Sequence, residues 1–240
     1  MTDESQNQGA DDAVPSDGQG FEPLSLDKKL PWPRRSDIAF GPGKVGNLDP
    51  RTIACVDRLL FRPNLGIHAD AFKQAADMIV AGLSEGRYAP FPCDVFFFPI
   101  AYLYRHAIEL LLKDAIGYGT RLCVIRRSEQ LDEILDSHNL YKLWNQLKPA
   151  IREVWPDSET DSTRAAERII SQFHQLDKTG QAFRYPTGKD GSPPVGTGQT
   201  PLELVDLEQL AEVAGGLCSF LDGCISGFME ALSNMPQDGW

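Results

Sequence analysis

Polar residues interrupt the largely apolar stretch between Pro92 and Gly117 at Arg105, His106, Glu109 and Lys113. Arg105, Glu109 and Lys113 fall at i, i+4 and i+8, so a helix lines them along one face, with His106 three residues before Glu109. Ionisable groups in such a setting have to be paired with one another or bound to something. In one reading Arg105 and Lys113 are cationic contacts in a polar pocket that holds a ligand or an RNA phosphate. In the other, Arg105, Glu109 and Lys113 form a ladder that satisfies itself and joins helices. The spacing favours the ladder.

Two further groups invite a chemical role. His138 directly follows Ser137, a candidate helix cap, and can pack on Trp144 or hydrogen-bond the central helix. Phe183-Arg184-Tyr185-Pro186 places a cation between two aromatic rings. Arg184 and Tyr185 can stack a base there, or Arg184 can pin the loop, which is the favoured reading. The four histidines stand in different segments without His-Glu-x-x-His spacing, so no metal site is expected. No glycine-rich phosphate loop lies between a strand and a helix, no Gly-x-Ser-x-Gly elbow occurs, and no cofactor is implied.

The elements that must position these groups are helical. His68–Ser84 reads as the first long helix, with Phe72, Ala75, Ala76, Ile79, Val80 and Leu83 on one face and Gly86 as its C-cap. The second, from about Pro92 to Gly117, is apolar almost all round, as a central helix touched on every side should be, and Pro99 should bend it unless the helix starts there. A short helix fits around Gln130–Leu135. Ser137 is the expected N-cap of a third long helix, buried through Leu140, Leu143, Trp144, Leu147, Ile151 and Val154, which Pro156 ends. A fourth runs from about Thr160 to Leu176. After a long loop, 179–199, the last helix is expected to begin with Thr200 as N-cap, Pro201 at N1 and Glu203 at N3. Along it Gly215, Ser219, Gly223 and Gly227 recur every four residues, a groove for close packing on the central helix or for a dimer seam.

The expected architecture is therefore all-α, an antiparallel bundle of about five long helices around the central helix 92–117. Residues 1–36 read as a disordered acidic tail, 37–66 as an extended arm with a short helix at about 51–60, and 67–233 as the helical domain. The Pro31-Trp32-Pro33-Arg34-Arg35 stretch is a linker or a docking arm. The net charge is −11, but residues 1–27 and 201–240 each hold seven acids and neither holds a Lys or Arg. The acidity thus lowers the expectation of nonspecific nucleic-acid binding while leaving room for a local basic site. The longest uncharged apolar run, Val95–Tyr104, is about half of the ~20 residues a membrane span requires, so no membrane partner is expected. The start of the chain has no secretory pattern. The five cysteines are scattered with no Cys-x-x-Cys pair, and Cys93, Cys218 and Cys224 sit within apolar helical pattern. Core cysteines in a reducing, cytoplasmic setting are expected, without disulfides or zinc.

The stretch Tyr102-Leu103-Tyr104-Arg105-His106-Ala107-Ile108-Glu109-Leu110-Leu111-Leu112-Lys113 is followed about 25 residues later by Ser137-His138-Asn139-Leu140-Tyr141-Lys142-Leu143-Trp144. Together the two resemble the HEPN superfamily of helical-bundle proteins. The resemblance covers roughly residues 68–230 as an architecture and these two short motifs as sequence. It implies an antiparallel bundle, often a homodimer, from prokaryotic conflict systems such as toxin–antitoxin pairs and phage defence. Many members are metal-independent ribonucleases that assemble an Arg-x(4–6)-His pair across a dimer. Here Arg168 and His174 fit that pattern, as do Arg62 and His68 in a Pro/Gly-rich loop; Ile169 stands where the ribonucleases usually carry a polar residue. The leading expectation is a noncatalytic HEPN-like module that binds a nucleotide, a nucleic acid such as RNA, or a partner protein. The alternatives are a ribonuclease using Arg168 and His174, and a structural subunit of a larger assembly.

Overall fold

The computed structural model of the chain describes residues 64–87, 92–156, 161–185 and 204–235, all of them within the compact unit Cys55–Trp240. The expected tail, the arm with its short helix, Arg62 and the Thr200-Pro201-x-Glu203 cap lie outside those residues. Among the described residues there are six helices and no strand: α1 (Leu65–Ser84), α2 (Asp94–Arg121), α3 (Glu129–Asp136), α4 (Leu140–Val154), α5 (Asp161–Leu176) and α6 (Leu207–Ser233).

The all-helical reading holds, and α2 is the central element, packed on α1, α6 and α4, with α5 laid against α4 and α6. Ile100, Tyr104, Ile108, Leu112 and Ile116, spaced every four residues, are completely buried along α2, and Ala101, Ala107 and Ala115 let the neighbouring helices close in. By length and composition α2 is the one described helix that could cross a membrane; half of its most apolar stretch is already covered by the other helices. Pro99 lies inside α2 rather than at its start. Its missing N–H leaves the carbonyl of Val95 without a helical donor, and Val95 faces solvent, where water can satisfy it.

The helix ends differ from expectation where a better side chain competes. Asn64 caps α1 by accepting from the Ile67 amide, so α1 starts three residues earlier than His68. At its other end Gly86, at φ +70°, closes the helix as its amide and that of Arg87 donate to the carbonyls of Leu83 and Gly82. Ser137 does not cap α4. Its hydroxyl turns back to the Ile134 carbonyl at 2.7 Å, and Asn139 accepts from the Lys142 amide at 2.9 Å instead. The last helix likewise begins later than Thr200 or Pro201: Leu204–Asp206 are not helical, and Asp206 caps α6 by accepting from the Glu208 and Gln209 amides.

Two further expectations are corrected. Cys93 is exposed before the first turn of α2, whereas Cys218 and Cys224 are in the core, where burial pushes their thiols up to about 12 and about 11. The small-residue row of α6 does not pack on α2. Gly215 meets Lys73 of α1, Gly227 is covered by the indole of Trp155, and Gly223 faces open space. The central helix instead receives Leu217, Leu221, Cys224 and Phe228, because larger apolar side chains gain more from the core than a glycine groove does.

Candidate functional site

The polar face of α2 is a buried ion-pair network. Arg105 and Glu109 are each only 2% exposed, and Asp177, just past the end of α5, is 1% exposed. The guanidinium of Arg105 donates from Nη1 to Glu109 at 2.9 Å and from Nη2 to the His138 carbonyl at 2.5 Å, with a longer 3.4 Å contact to the Asp177 carbonyl. Its Nε lies 3.1 Å from Asp177 Oδ2, but the N–H is not aimed at that oxygen, so this contact is coulombic rather than a hydrogen bond. One planar side chain therefore ties together α2, the start of α4 and the end of α5. Only an arginine fork reaches that many acceptors at once.

Glu109 is the second hub. Its other oxygen meets Lys113 Nζ and His138 Nδ1, each at 2.9 Å. Burial pushes the Glu109 carboxyl up, but the hydrogen bonds and charges of Lys113, with His138 and Arg105, outweigh this and hold it below the usual carboxylate range. The i, i+4, i+8 ladder is thus present as spaced. His138 takes the second of its two readings, bonding the central helix. His106 does not join Glu109: its ring stacks on Tyr102 at 5.8 Å and meets the edge of Phe72 at 4.5 Å. Burial lowers its pKa, which keeps the imidazole neutral at pH 7.

Asp177 explains how the loop after α5 is built. Its Oδ1 accepts from the amides of Thr179, Gln181 and Ala182, winding the chain into a tight turn while Oδ2 faces Arg105. Gly180 sits inside that turn at φ +76°, and a Cβ there would come within 3.0 Å of His138 Cβ and 3.3 Å of Arg105 Nη1. Both its backbone and its lack of a side chain are required. The turn then delivers Phe183 into the core and folds Arg184 back, its Nε donating to the Gly180 carbonyl at 2.8 Å and its guanidinium 5.5 Å from the Tyr102 ring centre. Arg184 pins the loop. Tyr185 beyond it is 58% exposed.

Asp177, Gly180 and Tyr102 are absent from the candidates read from sequence. An Asp at a helix end with Gly three positions on is the available signal for Asp177 and Gly180, since Asp accepts from its own downstream amides and Gly takes the left-handed turn position. The fold also brings three histidines that the sequence keeps apart into the electrostatic reach of the network, of which His138 alone bonds to it. His106 and His138 come from α2 and the start of α4, and His174 on α5 responds electrostatically to Lys178, Arg105 and Asp177. Burial, then Lys178 and Arg105, lowers the His174 pKa; its Nδ1 is buried without a hydrogen bond, and its ring stacks on Tyr141 at 6.0 Å.

Arg168 is exposed on α5, six residues before His174. Six residues of α-helix separate two side chains by about 9 Å of rise and roughly 120° of rotation, so the two do not converge within one chain. His68 is half-buried near the start of α1. Among the described residues no group of His, Cys, Asp and Glu is arranged to hold a metal ion. No protein-family model, curated protein or solved structure matches the chain.

Proposed function

We propose that the chain is a noncatalytic HEPN-like helical module of a prokaryotic conflict or defence system that binds a nucleotide or nucleic acid. The observation that carries the noncatalytic part is the saturation of the central polar cluster. Arg105 is spent on Glu109, Asp177 and the His138 carbonyl, and Glu109 is spent on Lys113 and His138. A catalytic pair needs at least one polar group free to meet substrate, and this cluster reaches solvent mainly through the exposed half of His138, with Lys113 17% exposed and already paired. Binding is supported by the composition of that outer edge. His138, Lys178, Arg184 and Tyr185 are exposed around two carboxylates that are themselves buried. An anion with a planar ring finds cations and aromatic faces there.

The ribonuclease alternative has one specific observation in its favour. Burial lowers the pKa of His174, favouring the neutral imidazole that a general base requires. It requires Arg168 from a second copy. Incubating the full chain with mixed RNA in the presence of a chelator separates the two readings. The module reading expects retention of RNA without cleavage. Cleavage that disappears in His174→Ala and persists in His106→Ala overturns it and establishes the ribonuclease; neither retention nor cleavage overturns both.

A further inference from the structure

Away from the ion-pair network, α2, α5 and α6 diverge and leave a cavity of about 310 Å³. Its walls are Phe97 and Ala101 of α2, Ile169 and Phe173 of α5, Leu210 and Val213 of α6, and Phe183 from the turn that Asp177 winds. Phe97 and Phe183 meet edge to face at 6.0 Å, so two aromatic rings set one corner of the space. The mouth is different in kind. Gln172, Gln209 and Asp206 line it beside the exposed Leu204 and Val205, and among the described residues no Lys or Arg does. Glu208 is turned away, its carboxylate accepting from Ser84 on α1. Among the described residues Asp206 is therefore the one charged residue lining the opening, its Oδ1 engaged by the first amides of α6.

We propose that this cavity is a binding site for a small aromatic molecule that is neutral or cationic, with a hydrogen-bonding group directed at Gln172, Gln209 and Asp206. The volume lies at the small end of the roughly 300–1,000 Å³ typical of ligand sites, which limits the occupant to about one fused ring system. Apolar walls with a few convergent polar groups are the usual constitution of such a site. The sign of the ligand follows from the rim, where the Asp206 carboxylate, with no cation among the described lining residues, attracts an ammonium and repels a second carboxylate. The site is independent of the nucleotide-binding reading: an anionic phosphate is the ligand this mouth selects against.

Three probes that share an indole ring and differ in charge test it on the full-length chain: tryptamine, indole and indole-3-acetate, titrated by calorimetry and by ligand-observed NMR at low ionic strength. The expected order is tryptamine, then indole, then indole-3-acetate, with about a tenfold separation between the two charged probes from a single partly screened charge. Ala101→Leu fills the cavity from its α2 wall and should weaken indole and tryptamine at least tenfold with helicity unchanged. Asp206→Asn retains the helix cap, because Asn caps as well as Asp, and removes the rim charge. In that variant indole should bind as before while the tryptamine preference collapses. No saturable binding of any probe overturns the site. Binding that a folded Ala101→Leu leaves intact overturns its location, and a charge preference that survives Asp206→Asn overturns the role of the rim.

Discussion

Arg105→Met isolates the claim that the central cluster is architecture. The substitution keeps an unbranched side chain of similar length and removes the charge and all donors. Glu109 retains Lys113 and His138 at 2.9 Å each, so it stays compensated. Asp177 does not: its Oδ2 faces only Arg105, and its side chain is fully buried. Stranding one buried carboxylate costs about 3–5 kcal/mol, a large share of the roughly 5–15 kcal/mol that holds a domain folded. With a urea dependence of about 1–3 kcal/mol per molar, the unfolding midpoint should fall by about 1 M or more. Asp177→Asn in the same chain removes the stranded charge and leaves Asn Oδ1 to accept from the turn amides. The double variant should therefore regain about 1–3 kcal/mol relative to the sum of the singles. Equilibrium urea unfolding of the four proteins, followed by far-UV dichroism, gives the coupling directly. A loss below about 1 kcal/mol in Arg105→Met refutes the reasoning, because residues kept for a ligand are commonly neutral or strained in its absence and their removal then costs little or stabilises.

Other perturbations test separate parts of the same picture. Glu109 has its folded pKa depressed, so its contribution to stability is complete above the unfolded value of about 4.3 and is lost as pH falls through the folded value. Stability of the wild-type chain should therefore decline more steeply below about pH 4.5 than that of Glu109→Gln, measured by urea midpoints across pH. His106 and His174 also have lowered pKa values, but as cationic acids their neutral forms are the folded ones, and stability should fall as pH drops below about 6.5. His106→Phe keeps the ring between Phe72 and Tyr102 and should flatten that part of the profile. Gly180→Ala, at φ +76° and against His138, should cost about 1–3 kcal/mol and speed proteolysis of the 177–185 turn. Gly223→Ala meets nothing within 4 Å and should stabilise the monomer by about 0.5–1 kcal/mol through helix propensity. A loss instead, together with a drop in mass by light scattering, would show a second chain seated on that face.

What the sequence made legible follows from how local each interaction is. The length and centrality of α2 are visible because packing by several helices leaves a long, mostly apolar pattern broken by few charges. The Arg105–Glu109–Lys113 ladder is visible because its spacing is set by one helix. Asp177 is invisible to that logic: it sits 72 residues beyond Arg105, and the two are joined only once α5 is laid on α4. Helix starts misread for a related reason. Ser137 and Thr200-Pro201 are good local caps, but Asn139 and Asp206 are equally good by chemistry, and the packing of Leu140 and Leu207 decides between neighbours that propensity ranks alike.

The same distinction bears on function. A self-paired ladder on one helix gives no reason to recruit His138 and Asp177 from elsewhere, because Lys113 and Arg105 already neutralise Glu109. Their presence means that Arg105 carries a further task. It fixes the 177–185 turn, which in turn places Phe183 at the wall of the α2–α5–α6 cavity and Arg184 over Tyr102 at the surface. One buried guanidinium thus sets the geometry of both faces to which binding is assigned, without contacting a ligand at either. Arg105→Met should weaken nucleotide binding and tryptamine binding together, whereas Asp206→Asn should touch only the second. If Arg105→Met, assayed where it remains folded, leaves tryptamine affinity unchanged, the turn is positioned by its own hydrogen bonds and the link between network and cavity is wrong.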